Sequence, residues 1–137
     1  MTRIDFYQLK PQQHNPNRVV CQLCQKAYES NQLTLLLTRD QQQTEYLDQQ
    51  LWIFDDDSFV PHDAQESDDF KSPILIHNDP TLSIARQLLI NLADTIPGNF
   101  AQYERVIELV TEDNKQQARE HYSYYKERGY PLNHYNL

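Results

Sequence analysis

Leu33–Thr38 reads Leu-Thr-Leu-Leu-Leu-Thr, a nearly continuous apolar run. Such a run is expected of a strand buried on both faces, as in a parallel sheet covered by helices. On its N-terminal side, Arg18–Ser30 shows the three-to-four-residue apolar periodicity of an amphipathic helix, and Asn31 is a plausible stop. Before that helix, Pro11 to Asn17 is a polar break with two prolines, and Ile4–Leu9 is a short aromatic and branched segment expected to be a strand. On the C-terminal side, Gln41–Trp52 carries Leu47 and Leu51 one helical turn apart, so a second helix is expected. The order strand, helix, strand, helix opens an α/β sheet with parallel strands. Pro73–His77 and Leu88–Ala93 read as further strands. Arg105–Val110 can be a strand or the end of a helix starting near Phe100; the strand is favoured because a fresh helix start follows at once. The expected fold is therefore one α/β domain, residues 1–137, with a mostly parallel sheet flanked by helices.

Composition narrows the function. The chain has 137 residues, of which 39% are hydrophobic, with nine Tyr, five Phe and one Trp, enough for a folded core. No stretch approaches the ~18–20 apolar residues of a membrane span, and the first ten residues have no leader-like apolar run, so a soluble cytoplasmic protein is expected. An α/β domain invites a nucleotide, but the two glycines, Gly98 and Gly129, are far apart and neither phosphate-loop motif is present. After the first expected strand the chain runs Lys10-Pro11-Gln12-Gln13, which offers no cradle for a phosphate. No cofactor is expected.

Cys21 and Cys24 form a Cys-x-x-Cys pair inside the apolar stripe of the first helix, without the partners that redox or zinc chemistry requires, so core packing is the reading. Asp55-Asp56-Asp57, with His62 and Asp63, lies in Asp55–Asp69, a segment with seven acids and no base. That is expected to be a solvated loop rather than a metal site, since it lacks the turn glycine of a calcium loop. The histidines at 14, 62, 77, 121 and 134 show no ligand spacing, and Ser58 and Ser67 sit in no nucleophile motif. A non-catalytic protein is expected.

Two features remain. The chain carries a net charge of −8, yet Lys115 to Arg128 holds four basic and two acidic residues, a local excess of two against ten net negative charges elsewhere. This segment belongs to an expected helix over residues 113–128, capped by Thr111 or Asp113 and stopped at Gly129. Lys115, Arg119, Tyr122 and Lys126 share one helical face, and a cationic face bearing an aromatic suits a carboxylate or phosphate attached to something apolar. The alternative is a solvated face whose long side chains cover the sheet. The second feature is Leu51-Trp52 followed by Phe59-Val60-Pro61 among acids. Trp52 either caps the core or, with Phe59, anchors a partner protein.

At these features the chain resembles the chi subunit of bacterial DNA polymerase III. The resemblance rests on Phe6-Tyr7, Tyr46-Leu47-Asp48 with Leu51-Trp52, Ser58-Phe59-Val60-Pro61-His62, and Gln117-Ala118-Arg119-Glu120 followed by Tyr122, Tyr125, Gly129 and Leu132-Asn133. It implies a non-catalytic clamp-loader accessory protein with a mononucleotide-binding-like topology that lacks a phosphate loop. It also implies two partners: the psi subunit, at Trp52 and Phe59, and the acidic C-terminal tail of single-stranded-DNA-binding protein, at Arg119 and Tyr122. A helicase-like repair protein is an alternative partner at the psi-facing surface. Lys115 and Lys126 would attract the aspartates of the tail. Ser123 stands where the resemblance leads one to expect a lysine, which removes a positive charge from the tail site. With its overall acidity the chain is not expected to bind DNA directly; a degenerate nucleotide-binding-fold protein that binds nucleotide or nucleic acid is the rival reading.

Overall fold

The computed structural model describes residues 1–11, 15–53, 60–64 and 72–137. Among them, seven strands form one sheet: β1 (Arg3–Gln8), β2 (Thr34–Leu37), β3 (His62–Ala64), β4 (Ile74–His77), β5 (Leu88–Asn91), β6 (Arg105–Val110) and β7 (Leu132–Asn136). The order across the sheet is β3-β4-β2-β5-β6-β1-β7, and every pairing is parallel. Three α-helices accompany it: α1 (Pro16–Glu29), α2 (Gln41–Ile53) and α3 (Lys115–Glu127).

The leucine run is the middle of this architecture. Thr34, Leu35, Leu36 and Leu37 of β2 are all buried, flanked by β4 and β5. Alternation sends Leu36 to the face covered by α1 and α2, with Ile74, Ile76 and Ile90, and sends Leu35 and Leu37 to the opposite face. On that second face α3 covers Ile4, Phe6 and Val106, while Leu82, Ile84, Ile96, Phe100 and Tyr103 from the connections around β5 complete the layer. The β4–β5 connection is a parallel crossover without a helix, which is why these connecting residues do the covering. Phe100–Gln102 is a single 3₁₀ turn, so the strand reading of residues 105–110 holds.

Helix ends follow their residue types. At the end of α1, Asn31 adopts a left-handed φ of 58°, and the Gln32 amide donates to the Ala27 carbonyl at 2.9 Å. At the end of α3, Gly129 has φ 79°, and the Tyr130 amide donates to the Tyr125 carbonyl at 3.2 Å. Both are Schellman closures, in which a residue tolerant of positive φ lets the chain satisfy the last carbonyls. The start of α3 differs from expectation. Asn114, rather than Thr111 or Asp113, occupies the cap position, and its side chain accepts from the Thr111 amide at 2.8 Å and donates to the Leu109 carbonyl. The Asn114 amide side chain thus ties the end of β6 to the helix.

Two strands were not expected. β3 falls inside the acid-rich segment read as loop; only three residues long, it is an edge strand added by pairing with β4. β7, with the polar sequence Leu-Asn-His-Tyr-Asn, has no strand pattern of its own. It forms because β1 offers a free edge and a buried anchor. The fully buried Asp5 carboxylate accepts from Arg105 Nε at 2.6 Å, from Arg3 Nε at 3.1 Å and from Asn133 Nδ2 at 3.0 Å. Tyr135 stacks on Tyr7 with ring centroids 5.2 Å apart, so β1, β6 and β7 are joined by side chains as well as backbone.

Cys21 and Cys24 are free and buried in the α1 face of the core, as the packing reading has it. Burial pushes the Cys21 thiol up to about 11 and the Cys24 thiol further still, the wrong direction for a reactive thiolate. His62 is buried beneath α2, and among the described residues no group of acids, histidines and cysteines is placed to hold a metal. Asp55, Asp56 and Asp57 lie outside the described residues. No helix among the described residues is long and apolar enough to cross a membrane.

Candidate peptide-binding site

The geometry of α3 separates a buried polar face from an exposed cationic one. Ala118, His121 and Tyr125 point into the sheet. Beneath them Glu108 of β6, itself buried, accepts from the Tyr125 hydroxyl at 2.7 Å and from Asn91 Nδ2 at 3.0 Å. Its other oxygen lies 3.0 Å from His121 Nδ1, while His121 Nε2 lies 3.1 Å from the Asp94 carbonyl. Both ring nitrogens face acceptors, an arrangement that suits the imidazolium, which donates from each. Burial works against that charge, but the Glu108 carboxylate and the Asp94 carbonyl outweigh it and raise the His121 pKa above its ordinary value. Burial and the nearby Glu108 charge push the Tyr125 hydroxyl up as well, so it stays a donor. This network clamps α3 onto the sheet.

Along its edge facing β1 and β7, α3 leaves a groove of about 310 Å³ lined by Phe6, Gln8, Val110, Lys115, Ala118, Arg119, Tyr122 and His134. That is the small end of the ~300–1,000 Å³ typical of ligand pockets. Phe6 is buried and forms an aromatic floor, and the Tyr122 ring meets it edge-on with centroids 5.4 Å apart. Arg119 is exposed and makes no ion pair or side-chain hydrogen bond among the described residues. Its five donors are therefore available to an incoming anion. Lys115 is 2.8 Å from Glu112, so part of its charge is already answered within the chain.

Three of the four residues expected on this face, Lys115, Arg119 and Tyr122, are brought together in the groove. Lys126, exposed a turn further on, is not among its lining residues. Arg128 lies 3.4 Å over the Tyr124 ring and donates to the Tyr124 carbonyl, away from the groove. Ser123 does not line the groove; it borders a second, more open concavity with Glu120 and Glu127, and Arg119 lines both. Sequence reasoning missed Phe6, Gln8, Val110 and His134 as site residues. Phe6 was quoted in the resemblance without a role, and for His134 the only signal was the polar-aromatic tail of the chain, which has no meaning until it pairs with β1.

The second surface lies on α2. Trp52 is 56% exposed, with Ile53 and Tyr46 also exposed. It does not cap the core: its ring rests against His62 of β3 with centroids 4.8 Å apart. His62 is held by the Val60 carbonyl at 2.7 Å and by Asp48, whose carboxylate is 3.1 Å from Nε2. Phe59, expected to share this surface, lies outside the described residues.

The cleft at the C-terminal ends of the strands is where open α/β sheets bind their ligands. Here it is lined by Asn17, Arg39, Asn91 and Asn114 together with the carboxylates Asp94, Glu108 and Asp113, among others.

Comparison with known proteins identifies the family. The family model for the DNA polymerase III chi subunit, HolC, matches residues 1–133. A DNA polymerase III subunit chi from Pseudomonas aeruginosa is 35% identical over 140 aligned positions, covering 100% of this chain and 98% of that protein. Those from Escherichia coli and Haemophilus influenzae are 32% and 30% identical over 85% and 87% of this chain, covering 82% and 85% of theirs. On a match spanning nearly its whole length, the chain belongs to the DNA polymerase III chi subunit family.

Proposed function

We propose that this accessory subunit acts as a replication adaptor, joining the polymerase III clamp loader, through a psi subunit, to the acidic C-terminal tail of single-stranded-DNA-binding protein. The observation that carries the reading is the groove beside α3, where an uncommitted guanidinium stands at the mouth of an aromatic slot. A tail that ends in an aromatic residue with a free carboxylate, preceded by aspartates, matches it group for group. The terminal carboxylate pairs with Arg119, the ring lies over Phe6 against Tyr122, and Lys115 and, at longer range, Lys126 attract the aspartates. A flexible tail must be ordered on binding, so a single tail should bind in the micromolar range. A partner that presents several tails would then gain avidity. The exposed Trp52 surface, with Phe59, supplies an apolar anchor for psi or for a helicase-like protein in its place. With a net charge of −8, recruitment through a peptide is physically easier than direct contact with DNA phosphates.

The test is a fluorescence-anisotropy titration of a short acidic peptide ending in Pro-Phe with a free carboxylate, against wild type and Arg119→Ala, with the C-terminally amidated peptide as control. Saturable binding that weakens about 10- to 100-fold in both controls is expected, the size of one charge-assisted bidentate contact. Equal binding of the amidated peptide would refute the assignment. Saturable binding of ATP or of single-stranded DNA by the isolated protein would favour the rival nucleotide or nucleic-acid reading.

A further inference from the structure

We infer that His134, on the unanticipated strand β7, is a specificity residue of the α3 groove: it supplies a second, pH-dependent cationic contact to a carboxylate-bearing peptide. This rests on the proposed tail-binding role of the groove and extends it to how affinity is set. His134 is paired in register with Phe6 on the neighbouring strand, and adjacent in-register side chains on one face stand about 4.8 Å apart. Alternation along β7 turns Asn133 and Tyr135 to the other side, where they meet Asp5 and Tyr7, and leaves His134 lining the groove. The Phe6 ring is thus flanked by Tyr122 on the helix side and by His134 on the strand side.

The groups facing His134 decide what it does. From α3 these are Lys115, Arg119 and Tyr122; β1 contributes Phe6 and Gln8, neither of them charged, and β6 contributes Val110. No carboxylate lines the groove; Glu112 is engaged with Lys115 at 2.8 Å, and Glu120 lines the adjoining concavity that Arg119 also borders. His134 itself makes no ion pair or side-chain hydrogen bond among the described residues, so its ring nitrogens are available to a ligand. Histidine is the side chain whose charge ordinarily changes between about pH 5 and 8. A protonated imidazole across the slot from Arg119 gives an entering carboxylate or aspartate donors on both walls. A neutral one leaves that work to Arg119 and the partly neutralised Lys115. A bound carboxylate in turn favours the protonated ring, by linkage.

The experiment is the same peptide titration at about pH 6 and about pH 8, in low salt, with wild type, His134→Gln and Arg119→Ala. Expected is binding about three- to tenfold tighter at the lower pH in wild type, a pH effect abolished in His134→Gln, and comparable affinity of the two proteins at the higher pH. Circular dichroism of each variant confirms that the fold is kept, His134 being an exposed edge-strand residue. A pH effect that persists in His134→Gln assigns it to another group, the buried His121 first, and overturns this inference while leaving the tail-binding role intact. So does pH-independent binding by wild type. Binding by neither protein at either pH overturns the tail-binding role itself.

Discussion

The two candidate surfaces stand near opposite edges of one sheet and are built in contrasting ways. The Trp52 surface is a single helix end: one large apolar ring, more than half exposed, resting on a buried histidine. The α3 groove is a composite of β1, β6, α3 and β7, small, aromatic-floored and cationic at its rim. Five strand spacings separate β3 from β1 in the sheet order, roughly 24 Å at ~4.8 Å per strand. That is far enough for two partners to be held without touching. An apolar anchor suits a folded partner and is insensitive to salt, whereas a charged slot suits a flexible acidic segment, weaker and screened by salt. The proposed adaptor role needs both kinds of contact, and on that reading the sheet keeps the two surfaces apart.

That separation is tested most sharply from beneath α3. Glu108→Gln removes the carboxylate that holds His121 and Tyr125, and should lower stability by about 2–4 kcal/mol in urea unfolding. It should also weaken tail-peptide binding by loosening α3, yet at temperatures where the protein stays folded it should leave psi capture through Trp52 unchanged. Loss of both together would mean that the two surfaces are coupled.

Next in size, Trp52→Ala should weaken psi binding in calorimetry by about 2 kcal/mol or more, the scale of an interface hot spot. Stability should change by less than about 1 kcal/mol, because so much of the ring is already in water. Tail-peptide affinity should not move.

The pH dependence of folding offers a subtler probe. The His121 pKa is raised in the folded protein, so its contribution to stability is fully present below the unfolded value of about 6.5 and is lost as pH rises through the raised value. Denaturation curves from about pH 6 to 9 should therefore show wild type losing stability across that window. His121→Gln, less stable throughout, should show a flatter profile. The smallest effect is expected at Lys126, outside the groove lining: Lys126→Ala should weaken the peptide by less than about threefold, and the difference should vanish in high salt.

Much of the fold was legible because its signals are local. The leucine run of β2, the periodicity of α1 and α2, and the stops at Asn31 and Gly129 each follow from residues adjacent in the chain. So did the face of α3 that carries Arg119 and Tyr122, since three- and four-residue spacings become neighbours on any helix. What stayed hidden was non-local. β3 and β7 carry no periodic pattern and exist because β4 and β1 offer edges to pair with. Glu108 and His121 read as ordinary polar residues until the sheet brings them within 3.0 Å.

By itself, the sequence determined an α/β domain with parallel strands, the absence of a phosphate loop, a cationic-aromatic helix face in an otherwise acidic chain, and the resemblance to chi. Those properties depend on composition, on periodicity and on residues close together in the chain. Only the tertiary structure decided that Lys126 and Ser123 stand outside the groove, that Phe6 is its floor, and that His134, 128 residues further along the chain, is its far wall. Burial, charge compensation and the pairing of a free strand edge are satisfied between distant segments, and no local pattern records which segments will meet.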